Sequence, residues 1–148
     1  MPFTFGPFTL DHDTPTTRKA YADIRAGGAD TCTCAMCRNW VAIRDRVLPS
    51  EFRDLLDRLG IDYTKDGEVV HYSRRDDGLH YYDGWYHGIG VMLSEPTTEM
   101  AIIDGVEIVI DWSNGTDLFF EQLRGYPFVR VSFSGFFPWV LEGEDEPE

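Results

Sequence analysis

Three cysteines lie within six residues of one another, and the chain of 148 residues contains no other cysteine. They form the pattern Cys32-x-Cys34-x-x-Cys37, in which closely spaced thiols favour a metal or redox role over a structural disulfide. Thiolates bind zinc strongly, and backbone N–H groups at a helix N-terminus stabilise negative sulfur. The cluster therefore predicts a zinc site, a reactive thiol, or simply reduced cysteines that pack as small apolar residues.

A tetrahedral zinc site needs a fourth donor in addition to three thiolates. His87 is the preferred candidate because its segment, Gly84-Trp85-Tyr86-His87, is predicted to be a strand that packs near the helices. The alternatives are His71 and His80, followed by His12 or Asp30. We therefore predict a zinc site formed by the three cysteines and His87, with Cys34, Cys37 and His87 close together.

The same residues also allow a thiol enzyme, in which Cys34 or Cys37 is activated at a helix start and His87 is its base. The sequence has neither a glycine-framed nucleophile turn nor a thioredoxin-type strand before the cysteines. Phosphate-binding glycine loops are also absent, because Gly27-Gly28 and Gly88-Ile89-Gly90 lack the companion residues. Kinase, NTPase and dinucleotide-binding functions are therefore disfavoured.

The chain is strongly acidic, with 26 acidic residues, 13 basic residues and a formal net charge of −13. This charge repels nucleic-acid phosphates and anionic lipids, so neither is an expected partner. A basic protein is the natural complement, although acidity also serves solubility alone. Asp76, Asp77 and Asp83 each belong to a short glycine-containing segment, so turn chemistry accounts for them better than catalysis does.

Residues 1–141 are predicted to form a single domain, and residues 142–148 an acidic disordered tail. The N-terminal residues lack a basic segment followed by an apolar core, and no apolar run approaches the length of a membrane span. An odd number of clustered thiols suits a reducing compartment. These features predict a cytoplasmic protein.

Hydrophobic residues recur at helical spacing in two neighbouring segments, which predicts helices at residues 35–48 and 50–60. Pro49 separates them, Ser50 is expected to cap the second helix, and Gly60 is expected to end it in a left-handed conformation. The two helices therefore form a hairpin. Residues 11–30 are expected to be largely loop.

From residue 68 onward the pattern changes to that of strands separated by tight turns. The expected strands are 68–73, 79–82, 85–93, 100–104, 106–112, 118–121, 128–133 and 136–141, with a further strand within 3–10. The expected turns are Asp76-Asp77-Gly78, Asp83-Gly84, Asp104-Gly105 and Asn114-Gly115. The fold class that follows is α+β, a helical hairpin packed on a curved, mostly antiparallel sheet in a meander.

An aromatic group on the predicted strands offers contact area with polar handles, as protein interfaces do. Its members are Tyr72, Tyr81, Tyr82, Trp85 and Tyr86. Cross-strand packing is the simpler explanation. We nevertheless predict that the exposed members among Tyr81, Tyr82, Trp85 and Tyr86 act as anchors for a partner.

Three segments carry a resemblance to a known family. They are Cys34-Ala35-Met36-Cys37-Arg38-Asn39-Trp40, Leu59-Gly60-Ile61-Asp62 and Gly84-Trp85-Tyr86-His87-Gly88-Ile89-Gly90. Together they resemble a family of small bacterial proteins of unassigned activity that combine a cysteine-containing helix start with a later Trp-Tyr-His segment. The resemblance implies a bacterial cytoplasmic setting and a link between the cysteine and histidine segments. Cys32 and the acidic tail lie outside it.

Taken together, these features favour a non-catalytic acidic binding protein, an antagonist of a basic toxin or enzyme. A zinc-binding structural or regulatory module is the first alternative, and a thiol-dependent enzyme is the second.

Overall fold

The computed structural model describes residues 1–113, 120–143 and 146–148. Within them the chain forms seven strands, four α-helices and one 3-10 helix. In chain order these are β1 (Pro2–Phe5), β2 (Phe8–His12), α1 (Thr14–Ala22), α2 (Gly28–Thr31), α3 (Ala35–Val47), α4 (Ser50–Arg58), β3 (Glu68–Arg74), β4 (His80–Met92), β5 (Ala101–Ile103), β6 (Val106–Trp112), the 3-10 helix (Glu121–Leu123) and β7 (Phe128–Phe137).

The described strands form one open sheet in the order β1-β2-β4-β7-β6-β5, with β3 also paired to β4. All pairings are antiparallel, which confirms the predicted α+β class. The meander is interrupted at β4, which pairs with β7 along one edge and with both β3 and β2 along the other. Strand β4 is therefore the centre of the sheet.

Helices α3 and α4 cover one face of this sheet, which we call the inner face. Trp40 of α3 stacks on Phe133 of β7, with ring centroids 5.0 Å apart and planes 18° apart. Phe52 of α4 contacts both Phe133 and Tyr86 at centroid distances of 5.9 and 6.3 Å. Because these rings are fully buried, the predicted packing of the hairpin on the sheet is confirmed.

The predicted helix boundaries agree closely with α3 and α4, and Gly60 has a positive φ of 80° after α4 as expected. The predicted cap is wrong. Pro49 occupies the N-cap position, and Ser50 is already the first helical residue, so its hydroxyl does not cap the helix.

The predicted turn at Asp83-Gly84 is wrong, because β4 runs from His80 to Met92 without a break. Gly84 instead makes room for a neighbouring ring, because a Cβ atom there would lie 2.4 Å from two ring atoms of Phe133 on the adjacent strand. Likewise, the two strands predicted at 128–133 and 136–141 are the single strand β7, which ends at Phe137. Turn glycines and close-packing glycines therefore share one sequence signature.

The N-terminal region has more structure than the sequence indicates. Residues 11–30, expected to be loop, contain α1 and α2, and the Asp13 side chain caps α1 by accepting from the backbone N–H of Thr16 at 3.0 Å. The strand expected within 3–10 is the hairpin of β1 and β2. The turns at Gly78 and Gly105 are confirmed by positive φ angles.

Some predictions concern residues that the structure does not describe. The turn at Asn114-Gly115 lies outside the described residues, as do residues 118 and 119 of the strand predicted at 118–121, and Glu121 at its end begins the 3-10 helix instead. Residues 144 and 145 of the predicted tail are also outside them, whereas Glu146 contacts His80. Among the described helices, none has the length and apolar character needed to cross a membrane.

Candidate functional site

The three cysteines come together at the start of α3. One sulfur from each of Cys32, Cys34 and Cys37 lies within 4.8 Å of the other two, and the Sγ atoms of Cys32 and Cys34 are 3.1 Å apart. All three residues are half-buried and none is in a disulfide. This group, which we call the thiol centre, is close enough to bind a metal ion.

Local backbone geometry explains why these sulfurs meet. Cys32 is the C-cap of α2 and Cys34 is the N-cap of α3, so a single residue, Thr33, connects the two helices. The Cys34 sulfur accepts a hydrogen bond from the backbone N–H of Cys37 at 3.4 Å, as an N-cap side chain does. The one-residue connection between the helices thus keeps the three sulfurs within 4.8 Å of one another.

Contacts from distant parts of the chain hold α2 in place beside α3. Arg44 of α3 forms two hydrogen bonds with the carboxylate of Asp30, at 3.2 and 3.3 Å. The buried Asp66 accepts from the backbone N–H of Ala29 at 3.1 Å. A Cβ atom at Gly27 would lie 2.7 Å from the backbone nitrogen of Asp66, so this glycine permits close packing of two chain segments.

A second set of contacts fixes the N-terminal turns of α3 on the sheet. The fully buried Asn39 donates to the hydroxyl of Tyr82 at 3.2 Å and to the carbonyl of Pro138 at 3.1 Å. Its side-chain oxygen accepts from the backbone N–H of Val140 at 2.8 Å. Tyr82 in turn donates to the carbonyl of Met36, next to Cys37. The thiol centre is thus attached to both β4 and the segment after β7.

The thiols differ in acidity. Hydrogen bonds from the backbone and side chain of Cys34, and from Cys37, lower the pKa of Cys32. Burial raises the pKa of Cys37, and the other two thiols raise it further. Because a metal must displace thiol protons, metal binding at this centre depends on pH.

His87 is not among the donors gathered within 4.8 Å at the thiol centre. Its ring lies edge-on to Phe128, with centroids 5.5 Å apart, beside Gly67, and its backbone carbonyl accepts from the hydroxyl of Tyr21. His87 is therefore not placed to coordinate one ion together with Cys34 and Cys37. The thiol enzyme with His87 as its base stays a prediction.

The other predicted donors have separate partners. His71 Nε2 is 2.8 Å from His80 Nδ1, and His80 Nε2 is 2.7 Å from a carboxylate oxygen of Glu146. The hydrogen bonding of this histidine pair was not predicted, although the turn at residues 76–78 places the two strands side by side. The ring of His12 is buried near Gly88, and burial lowers its pKa to about 4. Asp30 is engaged with Arg44.

The predicted aromatic anchors divide between the two faces of the sheet. Tyr82 and Tyr86 are fully buried on the inner face, so they are not among the exposed members and cannot be surface anchors. Tyr81 and Trp85 alternate with them and lie on the opposite, outer face, where both are half-buried. Strict alternation along an unbroken strand was the available signal, and the mistaken turn at residues 83–84 obscured it.

A broad surface hollow of about 690 Å³ lies elsewhere, between α1 and α4. It is lined by Arg18, Asp57 and Lys65 among others, and no cysteine reaches it. The ion pair of Arg18 with Asp57 is exposed and crosses this region. The hollow thus has no connection with the thiol centre.

No protein-family model, curated protein or solved structure matches this chain. The function must therefore be argued from the geometry of the chain itself.

Proposed function

We propose that this chain binds one zinc ion through Cys32, Cys34 and Cys37 and that the ion acts as a structural or regulatory element. The observation that carries this proposal is the meeting of three sulfur donors within 4.8 Å at one helix start. Sulfur-only donors favour soft or borderline ions such as Zn²⁺ and Cu(I) over Mg²⁺ or Ca²⁺. Zinc is usually tetrahedral in proteins, so three thiolates leave one coordination position for a further donor.

The surroundings of the centre support this role in two ways. The cysteines are half-buried, so an ion can enter from solvent while the surrounding chain restricts the mobility of the sulfurs. At the start of α3 the backbone N–H of Cys37 donates to the sulfur of Cys34, and a helix N-terminus reduces the cost of neighbouring negative charges. Because Cys32 ends α2 and Cys34 begins α3, a bound ion would connect the two helices.

The first experiment measures metal content. Protein purified without chelator and under reducing conditions is expected to contain one zinc per chain by elemental analysis. The Cys34→Ser and Cys37→Ser variants should each lose the zinc, because two thiolates bind it far more weakly than three. Thr33→Ala is the matched control, since it changes an exposed side chain between two of the ligands and removes no donor.

The second experiment identifies the donors. Replacing zinc with Co²⁺ should give thiolate-to-cobalt charge-transfer absorption that weakens on Cys37→Ser and is unchanged in Thr33→Ala. Two results would refute the proposal. One is stoichiometric zinc that survives Cys37→Ser, and the other is reduced, metal-free protein that fails to take up Zn²⁺ or Co²⁺. A Cys32–Cys34 disulfide that persists in protein purified under reducing conditions would instead indicate a redox role for the pair.

A further inference from the structure

The outer face of the sheet carries a row of aromatic side chains that crosses three strands. Tyr72 on β3 packs against Tyr81 on β4 with ring centroids 5.4 Å apart, and Tyr81 packs against Phe136 on β7 at 5.1 Å. Tyr72 is 56% exposed and Phe136 is 40% exposed. Aromatic rings in this arrangement leave their faces and edges available to another molecule.

Guanidinium groups of the chain itself already lie over rings of this face. The Arg75 guanidinium carbon lies 4.0 Å from the ring centroid of Phe136, and that of Arg130 lies 5.6 Å from the Trp85 ring. Both distances fall within the range of cation–π attraction. The outer face therefore has the chemistry to bind arginine side chains, and part of its aromatic surface is not covered by its own arginines.

Carboxylates occupy positions between these rings. Asp83 alternates with Tyr81 and Trp85 along β4, and its Oδ1 atom is buried with no hydrogen-bond partner. Burial is the largest cause that raises the pKa of Tyr72, followed by the charge of Asp83 and a hydrogen bond to its carboxylate, and Asp83 acts on Tyr81 in the same two ways. On β6, Oδ1 of Asp111 is also buried without a partner. A guanidinium from another molecule would add a charged donor to the Asp83 carboxylate, and charge-assisted hydrogen bonds are stronger than those from a neutral hydroxyl.

We infer that the outer face binds an arginine-bearing segment of a basic protein, with a guanidinium against Tyr72 and Tyr81 and hydrogen-bonded to Asp83. The net charge of −13 complements such a partner and would accelerate its association. Arginine fits better than lysine because its flat guanidinium stacks on rings while it donates two parallel hydrogen bonds to a carboxylate. This inference is independent of the thiol centre, which lies at the start of α3.

The test uses a dye-labelled peptide of eight residues in which arginine and glycine alternate, titrated with the full chain and followed by fluorescence anisotropy. Asp83→Asn should weaken binding at least about tenfold, as expected for loss of a hydrogen bond to a charged group. Asp54→Asn is the matched control, because it removes the same charge from an exposed position on α4. It should change affinity less than about twofold, since isolated surface charges are screened.

A second pair of variants tests the aromatic contact. Tyr72→Ala should weaken peptide binding about fivefold, in line with a cation–π contact at a partly exposed ring. Tyr126→Ala removes a tyrosine that is 45% exposed in the segment before β7 and should have no effect. Thermal unfolding of each variant establishes that it is folded.

Several results would overturn the inference. Equal losses with Asp83→Asn and Asp54→Asn would show only general charge attraction, as would equal affinity for a lysine peptide of the same length. Peptide-induced amide shifts confined to the helices would place the binding elsewhere. Reversible self-association that is abolished by Tyr72→Ala would identify a second copy of this chain as the occupant instead.

Discussion

The thiol centre and the outer sheet face are built in opposite ways. The three cysteines are neighbours in sequence, but long-range contacts from Asp30, Asn39 and Asp66 hold the two helices that present them. The outer face combines residues that are far apart in sequence, yet backbone pairing of β3, β4 and β7 fixes their positions. The thiol centre thus depends on buried polar side chains, whereas the outer face depends on backbone hydrogen bonds between strands.

The largest expected effect is that of Asn39→Ala, which should disturb the thiol centre and leave the outer face unchanged. Asn39→Ala removes the hydrogen bonds to Tyr82, Pro138 and Val140 that attach α3 to the sheet. The free energy of unfolding should fall by about 3 kcal/mol, since buried polar groups lose their partners. Urea denaturation measures this loss. Zinc affinity should fall in the folded variant while affinity for the arginine peptide stays the same, and equal losses of both would contradict the comparison.

A smaller effect concerns the buried carboxyl group of Asp66, which lies beside α2. Burial raises the pKa of Asp66 to about 6, from 3.8, so the native state holds its proton more strongly than the unfolded chain does. Stability from this group is therefore fully present below about pH 4 and is lost as pH rises toward about 6, by about 2 to 3 kcal/mol.

Asp66→Asn should remove this contribution, because asparagine can still accept from Ala29 and never ionises. The stability of the variant should therefore rise more steeply from pH 4 to pH 6 than that of the unmodified chain, since the opposing contribution of His12 remains. Urea denaturation from pH 4 to pH 7 would measure the slope. His12 contributes to stability in the opposite direction. Burial lowers its pKa to about 4, so the stability that it contributes falls as pH drops from 6.5 to 4. A slope that is the same in Asp66→Asn and the unmodified chain would refute the assignment.

The next effect is the loss of stability when an ion pair is broken, and two arginine variants compare a mostly buried pair with an exposed one. Arg44→Met breaks the ion pair with Asp30, whose side chains are 11% and 26% exposed, and should cost about 1 to 2 kcal/mol of stability together with zinc affinity. Arg18→Met breaks the pair with Asp57, which is mostly exposed, and should change stability by less than about 1 kcal/mol. Zinc titration and urea denaturation of both variants provide the comparison, which fails if their effects are equal.

The smallest expected effect on stability belongs to the outer face. Arg130→Gln removes the partly exposed pair with Asp111, worth about 0.5 kcal/mol, and uncovers the ring of Trp85. Affinity for the arginine peptide should increase several-fold, the reverse of Asp83→Asn, while zinc content is unchanged. A weaker peptide complex in Arg130→Gln would contradict a site that prefers cations.

The helical hairpin could be predicted because its pattern is local. The spacing of apolar residues over two turns, with Pro49 between the helices and Gly60 after them, is visible in the sequence itself. Helix α1 was missed because few of its residues are apolar, although Asp13 followed by Thr14-Pro15 is a cap signal.

Predictions that required knowledge of a neighbouring strand were less successful. Gly84 has a signature that fits a turn, and only its pairing with Phe133 shows that it makes room for a ring. The thiol centre itself was predicted from the cysteine spacing, but the absence of His87 from the donors within 4.8 Å follows from the face on which β4 presents it. Strand alternation determines that face, and it could be applied only once the strand was known to be unbroken.

The position of β4 has a consequence for how the chain folds. Strand β4 meets β3 across a short hairpin, and β5, β6 and β7 pair in sequence, so two local units can form early. Joining them requires closure of the long loop between His80 and Phe137, which is expected to be the slow step. At that seam the ring of Phe133 lies over Gly84 and under Trp40, so its shape favours one register between the two halves.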